Sequence, residues 1–415
     1  MTLEYILLLF LAGLTPLAYA AFFLGRRRAE TDLERGYRLN SPPSFYGWYV
    51  IVWMFLPAIA VSAVFAILHL AGILSVPLPV VLVGVLALFA AGGWLALHNV
   101  RASLRARKIV EDVIRWLLFI ATCISIFTTV GIVLSVVFEA VKFFNMVSLW
   151  EFLTGTTWSP GSAFLEGAGR GGEQASKAEF GSVPIFAGTF MITFIAMCVA
   201  LPVGLFSAIF MAEYAGRNLR GVAKPALEVL AGIPTVVYGF FAAITVSPLV
   251  VRIAKSIGLE AAYTNALSPG IVMGIMIIPF ISSLSDDVIS SIPQSLREGS
   301  YALGTTRSET VKQVVLPAAF PGIVSAFLLA VSRALGETMI VVMAAGLRPN
   351  LTWNPLEGMT TVTVRIVDAL TGDLAFDSAE TLSAFALGLT LLVVTLMLNI
   401  VSSIVIRRFK QQYEM

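Results

Sequence analysis

Residues 181–212 read GSVPIFAGTFMITFIAMCVALPVGLFSAIFMA and contain no Asp, Glu, Lys or Arg. A helix needs about 20 mostly apolar residues to cross the hydrocarbon core of a bilayer, and this run is long enough. Its apolar residues are continuous, whereas the strands of a membrane barrel alternate apolar with polar residues. Because lipid offers the backbone no hydrogen-bond partners, the run predicts a membrane-spanning α-helix.

Four further uncharged runs occur in the chain, at residues 39–100, 229–251, 261–285 and 381–406. Of the 415 residues, 58% are apolar and 13% are charged, and the mean hydropathy is +0.89. A soluble domain contains about 25% charged residues. The net charge of +2 gives no broad basic surface for nucleic acid. The composition excludes a disordered chain and an ordinary cytosolic enzyme, and it predicts an all-α, polytopic membrane protein.

The apolar runs predict nine membrane-spanning helices, at about residues 3–24, 48–70, 76–97, 114–138, 184–212, 227–250, 267–285, 319–346 and 383–406. If the first helix runs inward and the others alternate, 19 Lys and Arg residues lie on inside segments and seven on outside segments, with Arg333 inside a helix. Cytoplasmic loops carry an excess of Lys and Arg. We therefore expect a multi-pass protein with a periplasmic N-terminus and a cytoplasmic C-terminus.

A basic connector at residues 99–112 divides the chain into two predicted parts. Residues 1–112 are expected to form an N-terminal extension with about three spanning helices. Residues 113–415 are expected to form a six-helix core. Within that core, Gly232, Pro234 and Gly239 interrupt the pattern of one helix, and we expect them to permit a kink or close packing.

The sequence lacks the short motifs typical of nucleotide-binding and hydrolytic enzymes. No Lys follows a Gly, so there is no Walker A loop, and neither HExxH nor GxSxG occurs. The two Cys and two His residues have no neighbours at metal-ligand spacing. We therefore expect no catalytic residue, no metal site and no enzyme activity in this chain.

The predicted inside loop at residues 286–318 reads DDVISSIPQSLREGSYALGTTRSETVKQVVLPA. Its pattern predicts two short helices, with Pro293 near the start of the first, Gly304 at the break between them and Pro317 at the end. Asp286 and Asp287 are expected to cap the start of the loop. An ordered, amphipathic loop of this length favours docking into a groove of another protein.

Seven residues of this loop are similar to the cytoplasmic EAA signature of binding-protein-dependent ABC importer permeases. They keep the spacing of the signature, with Gly and Ser in place of two Ala residues and Val in place of Ile. The resemblance implies that they couple the permease to a separate ATP-binding subunit, so that ATP is used by the partner and the chain needs no cofactor. These residues are Glu298, Gly299, Ser300, Gly304, Val314, Leu316 and Pro317.

Three other segments, 152–158, 233–240 and 332–338, resemble the phosphate-specific permeases, and the external Thr-Trp-Ser-Pro segment favours the PstC type over the PstA type. The resemblance covers roughly residues 113–410. It implies a type I ABC importer permease of the inner (plasma) membrane that moves inorganic phosphate. The implied partners are a dimer of ATP-binding subunits, a second permease subunit, a periplasmic phosphate-binding protein and the membrane lipid.

Arg333 and Glu337 are predicted to lie on one face of the helix at 319–346, where a charge at that depth costs several kcal/mol. One hypothesis makes them a structural ion pair. The other places them on the substrate pathway, where the planar guanidinium of Arg333 contacts phosphate and Glu337 holds it between substrates. A sulfate or molybdate permease remains an alternative, because the same Arg suits any oxyanion. A secondary transporter driven by an ion gradient is the alternative from another class.

Two more charged pairs are expected outside the centre of the membrane. Lys224 and Glu228 are predicted to pair at the membrane interface. Arg365 and Asp368 are expected either to contact the binding protein or to form a solvated pair.

Overall fold

A computed structural model describes residues 10, 12–72, 77–160, 179–372 and 378–413. Within these residues eight helices are long and apolar enough to cross a membrane, which confirms the all-α, polytopic class. The first predicted span, 3–24, lies partly outside the described residues. The eight helices are Pro43–His69, Pro79–Asn99, Ala106–Met146, Val183–Tyr214, Thr235–Ser256, Leu267–Ser291, Arg307–Leu335 and Ala379–Ile404.

The first compact unit, Met1–Gly131, contains α1 (Thr15–Glu34), α2 (Pro43–Leu70), α3 (Leu78–Asn99) and the start of α4 (Ala106–Met146). α1 and α2 approach closely, because a Cβ on Gly25 would lie 2.8 Å from Val50 Cγ2. The prediction that α1 ends at residue 24 is wrong. Arg26 Nε bonds Glu30 Oε1 at 2.7 Å, and this pair one turn apart supports the helix beyond its apolar part.

The second unit, Ile132–Met415, begins within α4. Its elements in order are α5 (Leu149–Thr154), β1 (Trp158–Ser159), β2 (Glu179–Phe180), α6 (Val183–Ile209), α7 (Arg217–Ala231), α8 (Thr235–Phe241), α9 (Ser247–Ser256), α10 (Leu267–Ser291), α11 (Gln294–Ala302), α12 (Arg307–Thr310), α13 (Leu316–Leu335), α14 (Met339–Ala344), α15 (Val362–Thr371) and α16 (Ala379–Tyr413). The one described sheet is the two-residue antiparallel pair of β1 with β2. Three π-helical turns prolong helices: Phe210–Tyr214 extends α6, Ala242–Val246 joins α8 to α9, and Val311–Val315 joins α12 to α13.

α6 and α10 form the centre of the second unit. Ile192 and Ala196 of α6 and Met273 and Ile277 of α10 belong to one buried apolar cluster. At Gly274 an added Cβ would lie only 2.8 Å from the Ala196 carbonyl oxygen, so the two backbones are close. Lipid tails are as apolar as the side chains, so this close packing, rather than the hydrophobic effect, holds such helices together.

Gly188 on α6 is a glycine whose replacement should damage the fold, because a Cβ there would overlap the Thr360 carbonyl oxygen. That backbone is fixed, since Val362 N donates to Thr189 Oγ1 at 3.0 Å. We expect Gly188→Ala to lower the free energy of unfolding by about 2 kcal/mol, as overpacking does. Gly131→Ala is the control, because a Cβ there meets nothing within 4 Å. An equal unfolding midpoint for both variants in detergent would contradict the packing described.

Two of the predicted spans are broken. The helix expected at 227–250 stops at Ala231 and resumes at Thr235, and the helix expected at 319–346 stops at Leu335 and resumes at Met339. The first break lies where Gly232 and Pro234 were expected to permit a kink, whereas the continuous helix predicted at 319–346 was wrong. Pro234 disfavours helical backbone in the residue before it. At the second break Glu337 Oε1 accepts from the backbone N–H groups of residues 338–340, so it caps α14 instead of extending α13.

The helices that follow the two breaks reach one common level. Asn265 N donates to Ala344 O, and Asn265 Nδ2 donates to Ser247 Oγ, both at 3.3 Å, so these three residues mark that level. With a rise of about 1.5 Å per residue, the break at 336–338 is about 9–12 Å from it and the break at 232–234 about 20–22 Å. α8 also packs closely on α14, as expected from Gly239, where a Cβ would lie 2.9 Å from Met339 O.

Candidate functional site

The loop at 286–318 forms a helical elbow, residues 294–310, in which α11 and α12 meet at a turn. The turn contains Gly304 at a φ of +83°, a left-handed conformation that favours glycine. Pro293 precedes α11 in an extended conformation. These features agree with the predicted pair of helices. Pro317, however, does not end the second helix, because it lies in the first turn of α13, where a proline is tolerated and the helix continues.

A group of three hydroxyls holds the elbow together, with Ser300 and Thr310 buried and Thr305 half-buried. Ser300 Oγ lies 2.6 Å from Thr305 Oγ1 and 3.0 Å from Thr310 Oγ1, and the two threonine oxygens are 2.9 Å apart. Thr306 and Glu309 add a capping box at the start of α12. The serine that replaces an alanine of the signature therefore links α11 to α12.

The outer surface of the elbow is available to another protein. Glu298, Gly299 and Gly304 are exposed, whereas Val314, Leu316 and Pro317 are half-buried at the start of the long helix. Leu303, at the tip, is 85% exposed. The elbow therefore presents a large apolar side chain next to exposed polar ones.

Behind the elbow lies a buried ion pair that sequence reasoning missed. Arg297 on α11 bonds Glu213 in the π-helical turn after α6, with Nη2 2.7 Å and Nε 3.1 Å from Glu213 Oε1. A polar cavity of about 700 Å³ opens beside the pair and is also lined by Arg220, Tyr301 and Arg307. The partners are 84 residues apart in sequence, so no local pattern could have joined them.

Asp286 does not cap the loop as predicted, because it lies inside α10 and is fully buried. Arg220 Nη2 contacts both of its carboxylate oxygens, at 3.0 and 2.9 Å, and Lys224 Nζ contacts Oδ2 at 3.2 Å. Lys224 also bonds Asp287 at 2.8 Å, which raises the pKa of its ammonium group. The predicted partner of Lys224, Glu228, is exposed one turn further along α7. These contacts hold the amphipathic helix α7 against α10.

Arg333 and Glu337 do not share a helical face as predicted. Arg333 lies in the last turn of α13 and is exposed, with Cζ 5.8 Å from the centre of the Phe280 ring. Glu337 lies beyond the helix, and its Oε1 accepts backbone N–H bonds at 3.1–3.4 Å. The break in the helix is the physical reason for the difference. Arg333 lies just before the break at 336–338, and Glu337 lies within it.

At the end of the second unit marked by Asn265 and Ala344, a cavity of about 790 Å³ is lined by Thr264, Arg348 and Glu357, among others. In a separate part of the unit, Arg365 Nη1 bonds Asp368 Oδ2 at 2.6 Å. The Arg365 side chain is only 12% exposed and that of Asp368 is 40% exposed, so the pair is only partly solvated, and burial lowers the pKa of the Arg365 guanidinium.

Two family models match this sequence. The model described as the binding-protein-dependent transport system inner membrane component matches residues 200–411, which include the elbow and both helix breaks. A model described as a phosphate ATP-binding cassette transporter matches residues 11–75.

Curated relatives match most of the chain. Probable ABC transporter permease protein YqgH of Bacillus subtilis is 34% identical, and the alignment covers 68% of this chain and 87% of that protein. Phosphate transport system permease protein PstC 1 of Mycobacterium bovis is 32% identical, with 71% and 92% covered. The PstC protein of Haemophilus influenzae is 33% identical, with 56% and 78% covered. The chain belongs to the family of binding-protein-dependent transport system inner membrane components, the permease subunits of ABC importers.

Proposed function

We propose that this chain is the permease subunit through which an ATP-driven importer carries inorganic phosphate across the inner membrane. The match of its C-terminal half to importer permeases carries the proposal. The N-terminal match to a phosphate transporter model and the names of the PstC relatives support phosphate as the substrate.

The elbow is proposed to receive the ATP-binding subunits. Its exposed residues, Glu298, Gly299 and Gly304, and its half-buried ones, Val314, Leu316 and Pro317, would form or support the contact surface. Its rigidity supports this role, because Ser300 fixes α11 to α12. ATP would be bound by the partner subunits, and this chain would need no cofactor of its own.

Arg333 is proposed to contact phosphate on the pathway. A guanidinium stays charged and directs paired N–H donors at two oxygens of an oxyanion. Its exposed side chain next to the break at 336–338 suits that task, because irregular backbone inside a membrane is tolerated where protein or water satisfies it. Glu337 would stabilise the break by capping α14, so it would contribute to phosphate transport indirectly.

The assembled importer would contain a second permease subunit inside the membrane and a periplasmic phosphate-binding protein outside it. The elbow would then lie in the cytoplasm, with the N-terminus in the periplasm and the C-terminus in the cytoplasm. The excess of Lys and Arg on the predicted inside segments supports this orientation. The cavity lined by Arg348 would face the binding protein.

The test of the proposed function is uptake of radiolabelled phosphate by cells that lack their own phosphate transporters and express the complete importer. Uptake should require ATP and resist an excess of sulfate or molybdate. Competition by either oxyanion would point to the alternative substrates. Purification of this chain should also recover an ATP-binding subunit, whereas an ion-gradient transporter would purify without one.

Gly304 is expected to be essential for the shape of the elbow. In Gly304→Val, a β-branched residue would have to adopt a left-handed conformation, which costs about 1–2 kcal/mol. We expect recovery of the ATP-binding subunit and phosphate uptake to fall together. Gly131→Val is the matched control, because Gly131 lies in α4, outside the elbow, and a Cβ at either glycine meets nothing within 4 Å. Full uptake by Gly304→Val would show that the bend is dispensable.

A further inference from the structure

Arg297 connects the elbow to the ends of two membrane-spanning helices. Besides its two bonds to Glu213, its Nη1 donates to Ile292 O at 2.6 Å and its Nη2 donates to Ile289 O at 2.8 Å. Ile289 belongs to α10, and Glu213 follows α6. One guanidinium therefore reaches α6 and α10 from α11.

Few other buried side chains of α11 accompany this attachment. Among the described residues of α11, Arg297 and Ser300 are the buried ones. The Ser300 hydroxyl bonds Thr310 of α12, so it joins the two helices of the elbow to each other. The described side-chain contact of α11 with α6 and α10 is thus made by Arg297, which is 8% exposed and faces Glu213, which is 5% exposed.

The backbone around Glu213 also departs from a regular helix. Residues Phe210–Tyr214 form a π-helical turn, and such turns often occur at functional sites. A wider turn rotates the side chains that follow it relative to a continuous α-helix. Here Glu213 points inward and meets Arg297, while Tyr214 stacks with Arg307 of α12, whose Cζ is 5.1 Å from the ring centre.

We propose that Arg297 and Glu213 are positioning residues that transmit movement of the elbow to α6 and α10. A planar guanidinium with several donors in fixed directions passes on rotation as well as translation, which an apolar contact does not. This inference rests on the proposed function, since it requires an ATP-driven partner that moves the elbow. It predicts that weakening the pair separates ATP hydrolysis from transport.

The first experiment measures ATP hydrolysis and phosphate uptake by the complete importer in the same proteoliposomes. Arg297→Lys keeps the charge but loses the forked geometry, and Glu213→Gln keeps the shape but loses the charge. In both variants we expect hydrolysis to continue while phosphate imported per ATP falls about fivefold or more. Arg107→Lys is the control, because Arg107 forms an exposed pair with Glu111 one turn away, and it should leave the ratio unchanged.

An unchanged ratio in both variants would overturn the proposal. A parallel loss of hydrolysis and uptake, with the ATP-binding subunit still bound, would also overturn it, because the pair would then affect only activation of the partner. If wild-type importer shows ATP hydrolysis but no phosphate uptake, the substrate assignment fails, and the next experiment still tests the pair.

The second experiment needs neither substrate nor partner. Amide hydrogen exchange of the purified full chain is followed by mass spectrometry over residues 294–302. Arg297→Lys and Glu213→Gln should speed exchange in α11 several-fold while leaving the centres of α6 and α10 protected. Exchange equal to that of wild type and of Arg107→Lys would show that α11 is held by other contacts, and the proposal would fall.

Discussion

Replacing both Arg220 and Lys224 by Met is expected to destabilise the chain strongly, by about 3–5 kcal/mol, the range found when a buried charge loses its partners. Asp286 is 0% exposed and its carboxylate contacts both cations. The double variant would leave this charge inside the protein without compensation, since Ser290 bonds Arg220 rather than Asp286. Unfolding in mixed micelles of rising SDS content would measure the loss.

Asp286→Asn provides the control when it is added to that double variant. It removes the uncompensated charge while keeping the size of the side chain, so most of the lost stability should return. Asp287→Asn in the same background should restore nothing, because the Asp287 side chain is 62% exposed. If the two additions restore stability equally, the buried carboxylate is not the origin of the effect.

Arg333→Gln is expected to reduce phosphate uptake roughly tenfold or more, the loss of one charge-assisted contact to the passing anion. The fold should survive, because Arg333 is exposed and its described contact is with one aromatic ring. Uptake is compared at equal amounts of assembled importer. Arg333→Lys should give intermediate uptake, since it keeps the charge and loses the forked geometry.

The matched control is Arg252→Gln, which removes an exposed Arg from α9 in the same unit. It should transport phosphate at the wild-type rate. Normal uptake by Arg333→Gln would remove this residue from the pathway and leave it as a residue that packs on Phe280.

The sequence predicted the spanning helices well because a long apolar run has few other solutions in lipid. The bend at Gly304 was equally predictable, since a glycine between two short amphipathic segments signals a left-handed turn. The helix breaks were harder to predict. Gly232 and Pro234 signalled an interruption. Nothing in the local sequence showed that the Glu337 carboxylate would accept bonds from backbone N–H groups rather than pair with Arg333.

The charged residues behind the elbow show the same limit of local patterns. Asp286 follows an apolar run and so resembles a helix cap, but tertiary contacts from α7 keep it inside α10. Glu213 and Arg297 lie in different loops of the predicted topology and meet through packing of α6 against α10. Pairings of this kind depend on which helices are neighbours, and the sequence of either segment alone does not determine this.

The paired interruptions at residues 232–234 and 336–338 have an energetic consequence for a permeating ion. In hydrocarbon, backbone groups outside regular helical bonding must find partners in protein or water. At the second interruption the Glu337 carboxylate is such a partner for the N–H groups of residues 338–340. An ion that reaches these residues would meet peptide dipoles as well as apolar side chains, and this lowers the cost of leaving its hydration shell behind.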